Sequence, residues 1–197
     1  MYPTRNEALM ILDESNKMNP GPWKANSLVV AGCAEKIANR TEDMDSEKAF
    51  VLGLLHDIGR RFGGRHLGHV YDGFTYMDSL GYDEVAKVCL SHSFPTQDVT
   101  TYIGNIDTSP EETELVKTKI NKLTYDDYDR LIQLCDSVSM ADGVVDIEVR
   151  MDNVADRYNG YPESIRQKNR DLKSYFESKT ALNIYEITSN DKSLWGK

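Results

Sequence analysis

Residues 53–69, GLLHDIGRRFGGRHLGH, hold three of the chain's four histidines, His56, His66 and His69, beside Asp57, Arg60, Arg61 and Arg65. Imidazole and carboxylate bind divalent cations, and guanidinium grips phosphate oxygens two at a time. The stretch therefore combines what a metal site and a phosphate site each need. His92 follows Val88 by four residues and Cys89 by three, which sets it on an apolar helix face. Asp136 lies in LIQLCDSVSM on the side of Ile132, four residues earlier. Taken singly, each suits an ordinary role: a His–Asp hydrogen bond, a core histidine, a solvated loop. Taken together, three histidines and two aspartates from separate helices make a mixed imidazole and carboxylate set. Such a set suits Mn, Fe, Co, Ni or Zn better than Mg or Ca.

Helices must position these groups. PTRNEALMILDESN opens on Thr4 with Glu7 three residues on, the pattern of a capping box. GPWKANSLVVAGCAEKIANR carries Pro22 and then an apolar stripe, DSEKAFVLGLLHDIG ends at Gly59, and HLGHVYDGFTYMDSLG closes at Gly81. DEVAKVCLSHS stops before Pro95; SPEETELVKTKINKL has Ser109, Pro110 and Glu112 in capping positions. TYDDYDRLIQLCDSVSMA, VDIEVRMDNVADRY and PESIRQKNRDLKSYFESK follow. The segment from Phe94 to Ser109 breaks the helical period and reads as a lid or insertion. No alternating run is long enough for a sheet. The expectation is one all-α domain over 1–197, with a metal-site core at about 20–145 and C-terminal helices at about 145–180.

A chain of 197 residues with net charge -9 repels polyanions, so a nucleic-acid polymer is not expected as the main partner, while a small phosphorylated molecule is compatible with that charge. Cys33, Cys89 and Cys135 form no Cys-x-x-Cys pair, the pattern of a reducing compartment. The N-terminus has no basic leader followed by an apolar run, and SLVVAGCA is too short to span a bilayer, so the expected location is the cytoplasm, away from the membrane. Oligomeric state is not legible.

The order of these motifs resembles the HD superfamily of metal-dependent phosphohydrolases. The resemblance begins at GPWKANSLVVAGCAEKIA, passes through AFVLGLLHDIGRR, HVYDGFTYMDSLGYDEVAKVCLSHSF and YDDYDRLIQLCDSVS, and extends into VDIEVRMDNVADRY. It implies one ion on His56, Asp57 and Asp136, and a second on His69 and His92 with Asp57 as the bridge. His69 is chosen over His66 because HVYDG fits the family's His, three residues, Gly pattern. Where the family carries an early histidine, this chain has Asn26, which precedes Val30, Cys33 and Ile37 by four, seven and eleven and so faces inward. An amide oxygen is a poorer ligand than imidazole for late divalent metals, so the first site is expected to be weakened or shifted toward harder ions.

The resemblance also implies that Arg60 contacts substrate phosphate, with Arg61 and Arg65 either completing an electropositive mouth or forming a solvated charge run. His66 is a candidate proton carrier. Arg150 and Arg157, seven apart, share a helix face. Arg157 is within reach of substrate, although Glu148, Asp152 and Asp156 are near enough in sequence to pair with it, and the ion-pair reading ranks higher. The implied activity is hydrolysis of a phosphate ester or anhydride of a small molecule, a nucleotide above all, by water activated on one or two such ions. Two alternatives stand beside it: a catalytically impaired protein that binds a metabolite or partner, and a diiron oxygenase of the same superfamily.

Overall fold

The structure is a computed structural model that describes residues 1–196. Its helices are α1 (Arg5–Met18), α2 (Trp23–Ala38), α3 (Ser46–Leu55), α4 (Leu67–Ser79), α5 (Asp83–Ser91), α6 (Pro110–Lys122), α7 (Asp127–Asp136), α8 (Ile147–Tyr158), α9 (Glu163–Thr180) and α10 (Ile184–Thr188). The fold is all-α, as the sequence pattern predicts. Thr4 with Glu7 and Ser109 with Glu112 form the expected reciprocal caps. Asp45 and Asp126 cap α3 and α7 in the same way, each accepting from two backbone N–H groups.

Helix α3 is the central element: Ala49 through Leu55 are all buried, with α2 packed along it. It ends at Leu55, four residues before the expected Gly59, because Asp57 leaves helical geometry (φ -104°, ψ 16°). A 3-10 turn, Ile58–Phe62, takes over. This break ends the helix at His56 and Asp57, whose side chains both remain buried. The 3-10 turn then meets α4 at a glycine contact. A Cβ on Gly59 would collide with the His69 carbonyl and stand 2.5 Å from the Gly73 nitrogen, and one on Gly73 would stand 3.2 Å from Cys89. Only hydrogens fit there, and the close approach brings His69 to Asp57.

Helices α5 and α7 are held in register by buried polar groups. The Ser91 hydroxyl donates to Asp129 Oδ1 (2.7 Å), Lys87 Nζ pairs with Asp129 Oδ2 (2.6 Å), and Gln133 Nε2 donates to the Ser91 carbonyl (2.9 Å). That lock sets the ends of both helices, where His92 and Asp136 sit.

Two features depart from the sequence expectation. A two-stranded antiparallel ribbon, β1 (Ser139–Met140) and β2 (Gly143–Val144), follows α7; strands of two residues are too short to show an alternating pattern. Ordered structure continues past 180: α10 packs on α2, and a 3-10 turn at Lys192–Leu194 buries Leu194. A five-residue helix shows little more than one turn of periodicity, so it left no signal. The excursion from Phe94 to Ser109 is pinned to the start of α4, since Asn105 O accepts from Leu67 N (3.2 Å) and Asp107 accepts from the backbone of His66 (2.5 Å) and Gly68 (2.9 Å). No helix among the described residues is long and apolar enough to cross a membrane.

Candidate metal centre

Five sequence-chosen residues converge where α3, α4, α5 and α7 end or begin. His69 Nε2 lies 3.1 Å from Asp57 Oδ1 and 3.2 Å from His92 Nε2, and His92 Nε2 lies 3.6 Å from Asp57 Oδ1. His56 Nε2 lies 3.8 Å from Asp136 Oδ1. Ligand atoms about 2.1 Å from a shared ion stand roughly 3.0 Å apart in octahedral and roughly 3.4 Å apart in tetrahedral coordination. The Asp57, His69 and His92 spacing fits that range, and the three could hold a metal ion.

Proton placement strengthens the fit. His56 Nδ1 donates to the Gly53 carbonyl (2.7 Å), His92 Nδ1 to the Val88 carbonyl (3.1 Å) and His69 Nδ1 to the His66 carbonyl. Carbonyl oxygens only accept, so Nδ1 carries a proton in each ring and Nε2 is the atom turned to the centre. His69 is neutral near pH 7, because burial and Arg60 push its pKa down to about 4. Burial likewise lowers His56. His56 Nε2 and Asn26 Oδ1 are buried with no partner at all, whereas the Ser93 hydroxyl donates to His92 Nε2 (3.0 Å). Burial works against ionisation of Asp57, but Arg60, His69 and His92 outweigh it and hold the carboxyl well below its usual range. Asp136 is lowered too, with His56 and Arg150 overcoming burial. Lone pairs and carboxylates that face one another without protons between them need a cation.

The same shifts give a testable pH dependence for the metal-free chain. His69 binds its proton more weakly folded (about 4) than unfolded (6.5), so acid favours unfolding. Its contribution to stability is whole above about pH 6.5 and falls away as the pH drops toward 4, by about 3 kcal/mol. Denaturant unfolding in EDTA at pH 7 and pH 4.5 should show the loss; equal stabilities would mean that His69 is not the buried neutral imidazole described.

Asn26 sits within α2, not at its cap; its backbone N–H already bonds the Pro22 carbonyl (3.0 Å). Its Nδ2 donates to Asp136 Oδ1 (3.2 Å), which leaves Oδ1 as the orphaned buried atom beside the centre. Asn26 therefore stands with His56 and Asp136, while Asp57 stands with the His69–His92 pair.

Residues 25–141 match the family model described as HD domain. The chain belongs to the HD-domain family. No curated protein and no solved structure matches it. Membership places this HD domain among metal-dependent phosphohydrolases and agrees with a divalent metal at the cluster just described.

The arginines divide. Arg60 Nε donates to Asp57 Oδ2 (2.5 Å), and its side chain lines the two cavities that flank the centre, with volumes of about 170 and 460 Å³. Of the two readings open for Arg61 and Arg65, the electropositive mouth is not formed, since neither lines these cavities. Arg61 lies over the Tyr76 ring (4.0 Å) and reaches Met18, while Arg65 pairs with Asp72 (3.0 Å) and Glu112 (2.7 Å). His66 stacks edge-on against Tyr158 and lies outside both linings; its carbonyl, not its ring, serves the centre by fixing His69. Arg157 does not form the ion pairs expected for it, since Glu148 pairs with Arg166 and Arg170, and Asp152 with Arg166. It lines both cavities instead, as does Arg150. The sequence pattern missed Tyr102, Tyr158 and Tyr161 in the walls, and only their tertiary placement reveals them.

Proposed function

We propose that this HD domain hydrolyses a phosphate ester or anhydride of a small phosphorylated molecule, a nucleotide being the leading class, in the cytoplasm. One observation carries the reading: the unprotonated Nε2 atoms of His56 and His69 meet the carboxylates of Asp57 and Asp136 with no hydrogen to share. A divalent Mn, Fe, Co, Ni or Zn ion held there supplies Lewis acidity and a water acidic enough to ionise near neutral pH. His69 and His92 with Asp57 would hold one such ion; His56, Asp136, Asp57 and the Asn26 carbonyl oxygen would hold a second. The backbone carbonyls of Gly53, His66 and Val88 keep each imidazole in the ligating tautomer. Arg60, anchored on Asp57, aims positive charge where phosphoryl oxygens would lie. The net charge of -9 favours small anions at this local patch over long polyanions.

The test is phosphate release from p-nitrophenyl phosphate and a nucleotide panel with each of the five ions, alongside Asn26→His. Imidazole at position 26 would add a stronger ligand beside His56, so metal affinity should rise by about tenfold or more. EDTA should abolish turnover in both proteins. Absence of turnover in the parent and in Asn26→His would instead favour a protein that binds its metabolite without converting it, a reading that the weakened ligand at position 26 supports.

A further inference from the structure

The family match ends at residue 141, yet the two cavities beside the metal centre share residues from beyond it. Helix α8 contributes Arg150, Arg157 and Tyr158 to both walls. The helix is firmly placed: Asp146 caps it through the Glu148 and Val149 N–H groups, and the buried Tyr185 hydroxyl accepts from Ile147 N (2.8 Å).

Neither arginine is used up by structure. Arg150 keeps only 16% of its side chain exposed; its Nε is buried without a partner, and its one acidic neighbour, Asp136 Oδ1, is 3.8 Å away from Nη2. A buried donor left unpaired is destabilising, and a ligand oxygen would satisfy it. Arg157 donates from Nε to the Asn153 carbonyl (3.3 Å) and forms no ion pair among the described residues. Burial and then the nearby Arg150 charge make its protonation harder, with Arg60 adding to the crowding. Guanidinium groups crowd in this way where an anion is to be received.

The charges around the cleft give the class of anion. Arg60, Arg150 and Arg157 face Asp57 and Asp136, an excess of positive charge inside a chain of net -9. Arg60 is bonded to Asp57, so even without an ion the guanidinium groups of Arg150 and Arg157 outnumber the single carboxylate of Asp136, and any divalent ion on the aspartates would enlarge that excess. We propose that Arg150 and Arg157 form a second anion subsite beside Arg60 and the metal centre, and that the ligand carries at least two anionic groups, as a pyrophosphate-containing molecule does. The inference rests on the reading of the cleft as a phosphate site, but binding can be measured without turnover.

Inorganic pyrophosphate and inorganic phosphate are titrated calorimetrically into the full chain in EDTA, where no free ion competes for either probe. Pyrophosphate should bind at least about tenfold more tightly than phosphate, and Arg157→Gln or Arg150→Gln should bring the two within about twofold. Arg157 lies at the cavity rim, so its variant keeps the thermal midpoint of the parent and serves if Arg150→Gln is unstable. Equal affinities in the parent, or a preference that survives both substitutions, would overturn the subsite. A preference that depends on the arginines, in a protein that turns over no phosphoester with any ion, would uphold the subsite and defeat the hydrolase reading alone.

Discussion

Asp57→Ala is expected to yield a folded chain that no longer retains metal and has no detectable phosphohydrolase activity. Asp57 is the one carboxylate of the three-residue cluster: Oδ1 faces His69 and His92, and Oδ2 receives Arg60. Losing a group that merely supports a ligand costs about 10–100-fold in metal affinity, and losing the shared ligand itself should exceed that. The substitution also removes the carboxylate that makes an ion favourable beside bare imidazoles. Elemental analysis of the purified variant, with circular dichroism to confirm its helices, provides the check. Metal content equal to that of the parent would remove Asp57 from the bridging position.

Gly59→Ala is expected to be the most disruptive single methyl in the molecule. Its Cβ would meet the α4 backbone at two atoms, the His69 carbonyl oxygen and the Gly73 nitrogen, and backbone does not swing aside as a side chain can. The 3-10 turn and α4 would have to separate, and that motion carries His69 away from Asp57. Overpacking of this kind costs about 1–3 kcal/mol and occasionally more; with helix backbone as the obstacle the upper end, about 3 kcal/mol, is expected, together with weakened metal binding. Gly64→Ala is the matched control, because a Cβ there meets nothing within 4 Å and its backbone needs no positive φ. Its stability should stay within about 0.5 kcal/mol of the parent. Equal melting curves for the two variants would show that the Gly59–Gly73 contact does not set the position of α4.

These outcomes depend on parts of the molecule that differ in how plainly the sequence displays them. Helical period places His92, Asp136 and Asn26 on inward faces, and a period of 3.6 is visible in any amphipathic run of ten or more residues. The same period does not say that α3 stops at Leu55, because that end is fixed by the Gly59 contact with a helix ten residues further on. Nor does it separate the arginines. Arg60 and Arg61 are neighbours in sequence, yet one is bonded to Asp57 and the other lies over Tyr76, since the 3-10 turn points successive side chains in different directions. Arg65 is taken by Glu112, 47 residues away, a pairing no local pattern announces. Arg157 was legible as a neighbour of acids on its own helix, but α9 supplies Arg166 and Arg170 to claim Glu148 and Asp152, which leaves Arg157 for the cleft.

The measurement that bears most directly on the central claim is metal content per chain, by elemental mass spectrometry on protein purified without chelator or nickel resin. About one to two equivalents of Mn, Fe, Co, Ni or Zn are expected, falling to background in Asp57→Ala. A parent chain free of these metals, and unable to take them up when each is supplied, would contradict that claim.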